Sequence, residues 1–291
     1  MDTFPLGSVT VHRVGFGAMQ LPGPGVFGPA RDHGQAVAVL RRAVELGVDH
    51  IDTAQFYGPN VSNELIREAL HPYPDELALV SKVGSNRDEE GGWMPAQRPE
   101  ELRAAVDANL TTLGTDQLAA VNLRLMDGEH ELPPDQQIPL ADQLGEMVAL
   151  REEGKIAGVG ISTASRAQVE QAVSQADIVC VQNAFSLLDR TDTAVLDLCH
   201  DSGIAYVPYF PLGSAFPHLP KVTDHPTVRQ VAERVDATPA QVGLAWLLAY
   251  RDNILLIPGT STLAHLEENM AVADLALSAD DIAELTSITT A

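Results

Sequence analysis

Three residues of this chain have the types and spacing for proton chemistry at a carbonyl group: Asp52, Tyr57 and Lys82. Asp52 and Tyr57 lie in Gly47-Val-Asp-His-Ile-Asp-Thr-Ala-Gln-Phe-Tyr-Gly58. There Asp52 ends a short apolar strand and Tyr57 follows on the loop. Lys82 closes a second apolar stretch that begins at Leu77. If the two strands are parallel neighbours, a carboxylate, a phenol and an ammonium meet at one sheet edge. A phenol of ordinary pKa, about 10, is a poor acid at neutral pH, and a nearby cation lowers that value. Asp52 pairing with Lys82 keeps the ammonium charged and aimed at Tyr57, which makes the phenol a tuned proton donor for a carbonyl oxygen. Taken alone, the trio also reads as an ordinary loop tyrosine beside a capping aspartate.

Positioning such a trio requires parallel strands, and the chain supplies them. After a hairpin turning at Gly7-Ser8, apolar strands are predicted at Val14–Met19, Val48–Asp52, Leu77–Lys82, Leu118–Leu125, Ile156–Ile161, Ile178–Gln182, Ile204–Pro208 and Ile254–Ile257. Helices follow at about His33–Leu46, Asn60–Leu70, Pro99–Leu113, Pro139–Glu153, Ser165–Gln175 and Thr191–Ser202. More are expected at Thr227–Val235, Thr238–Ala249 and Leu263–Ala273, with a last one opening at Ser278. Gly84–Arg98 reads as a long mixed loop carrying Trp93, and Tyr209–His225 as another. Eight apolar strands alternating with helices predict an α/β fold. The form expected is a (β/α)8 TIM barrel with an N-terminal β-hairpin and extra C-terminal helices, one domain over residues 1–291. The absence of G-x-G-x-x-G after the first strand and of a P-loop argues against an open dinucleotide-binding sheet. In a barrel the loops after the strands build the active site, and Asp52, Tyr57, Lys82, Ser162, Gln182 and Tyr209 all fall there.

Composition narrows the partners. The 291 residues include 18 Lys and Arg against 40 Asp and Glu, a formal charge of −22. Such a surface repels nucleic acid and anionic membranes, and an anionic cofactor needs a local amide-lined or basic pocket. The two cysteines, Cys180 and Cys199, have neither metal-ligand nor disulfide-framework spacing. His12, His33, His71, His130, His200, His218 and His225 likewise show no ligand pattern, so no metal is expected. Without a signal peptide or an apolar transmembrane run, the expectation is a cytoplasmic protein with no obligate protein partner.

At this point the motifs resemble those of the aldo-keto reductases over nearly the whole chain. The segment Gly47 to Gly58 is similar to that family's aspartate–tyrosine signature and Val80-Ser-Lys82 to its lysine segment. Gly158 to Ser162, Val181 to Leu187, Tyr209 to Gly213 and Ile257 to Asn269 are similar to its later strand-end motifs, in the same order. The resemblance implies a metal-independent, NADPH-dependent reduction of a small aldehyde or ketone, with NADH also compatible. It implies that Tyr57 protonates the carbonyl while Lys82 and Asp52 set its acidity. Ser162 and Gln182 match residues that hydrogen-bond the nicotinamide carboxamide, and Tyr209 the ring stacked on nicotinamide. Further implied cofactor contacts are Gly17, Ala18, Met19, Asp52, Pro211, Leu212, Gly213, Gly259, Thr260, Ser261, His265, Glu268 and Asn269. Those after the last strand hold the adenosine phosphate at a helix N-terminus.

Three departures from the family pattern involve four positions. Arg124 stands where a histidine is usual; it can stabilise a developing oxyanion but not give up a proton. Gly259 and His265 occupy places of common phosphate-binding basic residues, and Thr163 replaces an asparagine. Gly17 to Leu21, the loop Gly23 to Gly28 and Asn122-Leu-Arg124 look most like a bacterial branch that includes pyridoxal reductases. That branch suggests a small polar aromatic aldehyde, with Phe27, Phe56, Tyr57, Trp93 and Phe210 as walls. An alternative, kept open by Arg124, is an NADPH-binding sensor with weak or no turnover.

Overall fold

The computed structural model describes residues 2–126, 132–213 and 220–289. Asp127, His130 and His218, together with part of the loop 209–225, lie outside the described residues. The N-terminal hairpin forms as expected, β1 (Thr3–Leu6) pairing antiparallel with β2 (Val9–His12). A seven-stranded parallel sheet follows: β3 (Phe16–Gly17), β4 (His50–Asp52), β5 (Ala78–Val83), β8 (Ala120–Arg124), β9 (Val159–Ser162), β10 (Ile178–Gln182) and β11 (Ala205–Tyr206), adjacent in that order. Two short strands, β6 (Ser85–Arg87) and β7 (Trp93–Pro95), make an antiparallel hairpin inside the segment expected to be loop.

The eighth predicted strand, Ile254–Ile257, makes no ladder. It nevertheless closes the barrel through isolated parallel bridges, Ile254 to Tyr206 and Leu256 to Val14. Leu256 N donates to Arg13 O (2.8 Å) and Gly15 N to Leu256 O (2.8 Å). The seam is tight for a steric reason. A Cβ on Gly17 would lie 2.5 Å from Ile257 O, and one on Gly259 2.4 Å from Gly17 O. Only glycines let these two backbones approach. The first strand is correspondingly short, because residues 18–20 turn into a 3-10 segment at the barrel mouth.

Helices α1 (His33–Glu45), α2 (Val61–Leu70), α3 (Pro99–Leu113), α4 (Leu140–Glu152), α5 (Arg166–Gln175) and α6 (Thr193–Asp201) follow β3, β4, β5 and its hairpin, β8, β9 and β10 in turn. After β11 come α7 (Pro226–Arg234) and α8 (Pro239–Tyr250); α9 (Leu263–Met270) follows the closing segment and α10 (Ala279–Thr286) ends the chain. Ser165, Thr238 and Ser278 cap their helices through capping boxes, as their spacing predicts. The apolar helix faces and the outward strand residues form one large core, in which each fully buried Leu or Ile contributes about 1.5–3 kcal/mol. A second cluster fills the barrel, where Leu6 and Val11 of the hairpin meet Ala78, Val80, Ala120 and Ala205. Ala78, Ala120 and Ala205 open their strands, so the hairpin plugs the end opposite Asp52 and Lys82. Among the described residues no helix is long and apolar enough to cross a membrane.

Candidate active site

The register of the sheet brings the trio together. Asp52 of β4 pairs with Val80 of β5, and Thr53 N donates to Val80 O (2.8 Å), so Lys82 projects two residues further along the same edge. Beyond Asp52 the chain turns: Tyr57 N donates to Ala54 O (3.1 Å) and Ser62 N to Tyr57 O (3.2 Å). Gly58, at φ +98°, completes this turn, where a Cβ would strike Val61 at 2.4 Å. Tyr57 is thereby held under Phe56, the two rings edge to face at 5.4 Å.

Lys82 Nζ donates to the carboxylate of Asp52 and to Thr53 O (3.1 Å), and it also hydrogen-bonds the Tyr57 hydroxyl. The other Asp52 oxygen accepts from Gln182 Nε2 at 2.9 Å, a link across the barrel that sequence reasoning did not expect of Gln182. Burial alone would push the Lys82 ammonium down, but Asp52 and then Tyr57 carry it above its ordinary value, so it stays charged. Tyr57 corrects the sequence reading. Its phenol is raised, not lowered, because loss of solvent outweighs the pull of Lys82 and the weaker pull of Arg124. Tyr57 therefore remains protonated through neutral pH.

The pH dependence follows from that sign. A reduction that needs the phenol should be flat between about pH 6 and 8 and fall only as the phenol ionises, above the ordinary value of about 10. Oxidation of the alcohol, which needs the phenolate, should rise over the alkaline range. Steady-state profiles in both directions check this, and a reduction rate that already declines below pH 8 contradicts it.

Behind the trio lies a buried polar chain that the sequence did not disclose. Thr53 Oγ1 donates to Asn63 Oδ1 (2.8 Å), while Asn63 Nδ2 (2.9 Å) and Ser81 Oγ (2.6 Å) both donate to Asn109 Oδ1. It ties α2, α3 and the strand ends around Lys82 into one unit. An asparagine on the apolar face of α3 was the available signal.

Tyr57 and Lys82 open onto a cavity of about 1080 Å³. Arg124, Ser162, Gln182, Tyr209 and Phe210 line it, as do Met19, Phe56, Trp93 and Ser261. Asp52 is buried behind Lys82, and Gly17, Ala18 and Gly259 form the backbone seam beneath. Phe27 is not part of the lining; its ring faces the Arg87 guanidinium at 5.4 Å and backs onto Gly91. Pro211, Leu212 and Gly213 also lie outside the lining, Leu212 packing on the main core. Thr260 Oγ1 accepts from Thr262 N (3.1 Å) in the turn that starts α9, His265 is exposed on its first turn, and Asn269 is buried. Glu268 is engaged elsewhere, accepting from the Thr238 hydroxyl at the α8 cap. Three non-glycine residues with left-handed backbone, Val26 (φ +60°), Thr163 (φ +58°) and Phe210 (φ +55°), all line this cavity. Such strain persists only where surrounding contacts over-determine the loop.

The donor set suits a nicotinamide dinucleotide. At the α9 end, Ser261 lines the cavity and Thr262 caps a helix with no acidic residue in its first turn, which leaves amides and a positive dipole end for a phosphate. At the other end, Ser162 and Tyr209 line the same cavity as Lys82 and Tyr57. Among the described residues no group of His, Cys, Asp and Glu is arranged to hold a metal ion.

Fold and site together define an oxidoreductase that works with a nicotinamide cofactor. The profile of the Aldo/keto reductase family matches residues 13–290, and the chain belongs to that family. Among its relatives, it is 48% identical over 287 residues to pyridoxine 4-dehydrogenase of Escherichia coli (strain K12), covering 99% of this chain and 98% of the relative. This agrees with the bacterial branch suggested by the sequence. Among solved structures, the thermostable aldo-keto reductase Tm1743 in complex with the inhibitor epalrestat superposes with a TM-score of 0.81 at 29% identity, covering 99% of both chains. An aldo-keto reductase from Klebsiella pneumoniae in complex with NADPH gives 0.79 at 25% identity, covering 98% of this chain and 93% of that one.

Proposed function

We propose that the protein reduces a small aldehyde or ketone to its alcohol with NADPH, and that a pyridoxal-like aromatic aldehyde is its substrate class. The observation that carries the reading is Tyr57: a buried phenol, protonated at neutral pH, touching a charged Lys82 and opening onto the cavity. NADPH, when bound in this cavity, would supply the hydride for the carbonyl carbon. Tyr57 gives its proton to the carbonyl oxygen, and Lys82, fixed by Asp52, steadies the negative charge that this leaves on the phenol oxygen. Gln182 holds Asp52 in place. Arg124, at the end of β8 beside Ser162, adds a second positive charge near the developing oxyanion. Ser162 would bond the carboxamide of a bound nicotinamide and Tyr209 would stack on its ring, which would fix the face presented to substrate.

The NADPH-bound Klebsiella structure and the pyridoxine 4-dehydrogenase relative support this choice of cofactor and substrate class. Purified protein assayed with NADPH and with NADH against a panel of small aldehydes tests it. The expected result is turnover with a higher kcat/KM for NADPH and for pyridoxal. Saturable NADPH binding with no turnover of any aldehyde would replace the reductase with a cofactor-binding sensor.

A further inference from the structure

Arg87, a residue outside the proton-transfer machinery, makes no ion pair among the described residues although it lies in a strongly acidic chain. Its donors go to carbonyls of two separate segments. Nη2 and Nη1 donate to Gly25 O (2.9 Å) and Val26 O (3.2 Å) of the loop after the first strand. Nε and Nη2 donate to Gly91 O (3.0 and 2.7 Å) in the turn between β6 and β7. The guanidinium lies 4.1 Å from the centre of the Trp93 ring and 5.4 Å from that of Phe27. Trp93 is also contacted by Arg124 at 5.0 Å and by the edge of Phe56 at 5.5 Å, yet 37% of it stays exposed where it lines the cavity. The clamped loop is itself pinned to the turn that carries Tyr57, with Gly58 N donating to Val26 O and Gly28 N to Gly58 O, both 3.1 Å.

We propose that Arg87 is a positioning residue that determines specificity. It locks the loop 23–28 and the β6–β7 hairpin into one wall, and so presents the Trp93 indole as a fixed flat surface beside Tyr57. A fixed indole face favours planar aromatic carbonyl compounds, whose rings stack on it, over small aliphatic ones that gain nothing from it. Planarity matters on the arginine side too. A forked guanidinium reaches three carbonyls while lying on an indole, and a lysine ammonium does not. The inference rests on the reductase reading above and adds the feature that selects among its substrates.

Arg87→Met and Arg87→Lys, compared with the parent protein, test it with pyridoxal and with propanal. The expected result is a KM for pyridoxal raised about tenfold or more, with kcat falling less than KM rises, because a loosened wall loses orientation before it loses chemistry. Propanal constants and NADPH affinity, read by calorimetry, should move far less. Parallel losses with both aldehydes, or no loss with either, overturn the inference. A second readout needs no turnover. In a Trp246→Phe background Trp93 is the one remaining tryptophan, and Arg87→Met should at least double its quenching by acrylamide. Unchanged quenching overturns the clamp even if no aldehyde is reduced, whereas raised quenching without turnover leaves the clamp standing and removes the reductase reading.

Discussion

Tyr57→Phe is expected to lower the rate of aldehyde reduction by about 10²–10⁴-fold, the usual contribution of a positioned general acid. The ring fills the same space under Phe56, and the fold around it is set by backbone bonds to Ala54 O and from Ser62 N that the substitution does not touch. NADPH affinity should therefore change little, and the loss should appear in kcat. Stopped-flow reduction with saturating NADPH, together with a binding isotherm, separates the two. A variant that keeps a tenth or more of the parent rate would mean that the proton comes from elsewhere. Arg124 also lines the cavity, but a guanidinium does not release protons at neutral pH.

Lys82→Met should damage both the chemistry and the fold. Lys82 and Asp52 are 6% and 4% exposed, so removing the ammonium leaves a buried carboxylate held, among the described residues, by the Gln182 amide. Breaking one side of such a pair typically costs about 3–5 kcal/mol. Denaturant unfolding should show that loss, and reduction should fall at least as far as in Tyr57→Phe because the phenol loses its adjacent cation. The double variant Asp52→Asn with Lys82→Met supplies the control. Removing both charges should recover a large part of the stability but none of the activity, since buried pairs are often replaceable by neutral groups of similar size. Recovered activity in the double variant would show that the pair serves the fold alone.

Much of this was legible from the sequence, and what was not has physical causes. Strands such as Ala78–Val83 are buried along their whole length, so a continuous apolar run reads as a helix-covered parallel strand. The juxtaposition of Asp52 and Lys82 follows from register once β4 and β5 are neighbours, and the turn after Asp52 brings Tyr57 to them. The closing segment Ile254–Ile257 reads as a strand because it is apolar, but it meets its neighbours only at single bridges across the glycine seam. Trp93 was singled out, yet its hairpin was missed: β6 and β7 have three residues each, too few for a period-2 pattern. Arg87 stayed hidden because its partners are backbone carbonyls far apart in sequence. The direction of the Tyr57 shift was read wrongly for a related reason. Sequence places Lys82 beside it but does not show that Phe56 and the loop over it exclude the water that would stabilise a phenolate. Phe27 was expected on the substrate wall because it is aromatic and lies in the right loop; its side chain turns to the Arg87 clamp instead.

Hydride and proton transfer to an aldehyde at Tyr57 is the reaction proposed for this barrel. A single-turnover experiment tests it most directly: the preformed NADPH complex is mixed with pyridoxal, and the nicotinamide absorbance is followed for the parent protein and for Tyr57→Phe. The expected result is one NADPH oxidised per alcohol formed by the parent, and a variant that binds NADPH as tightly but transfers hydride orders of magnitude more slowly. Tight NADPH binding by the parent with no oxidation, or equal rates in both proteins, would contradict it.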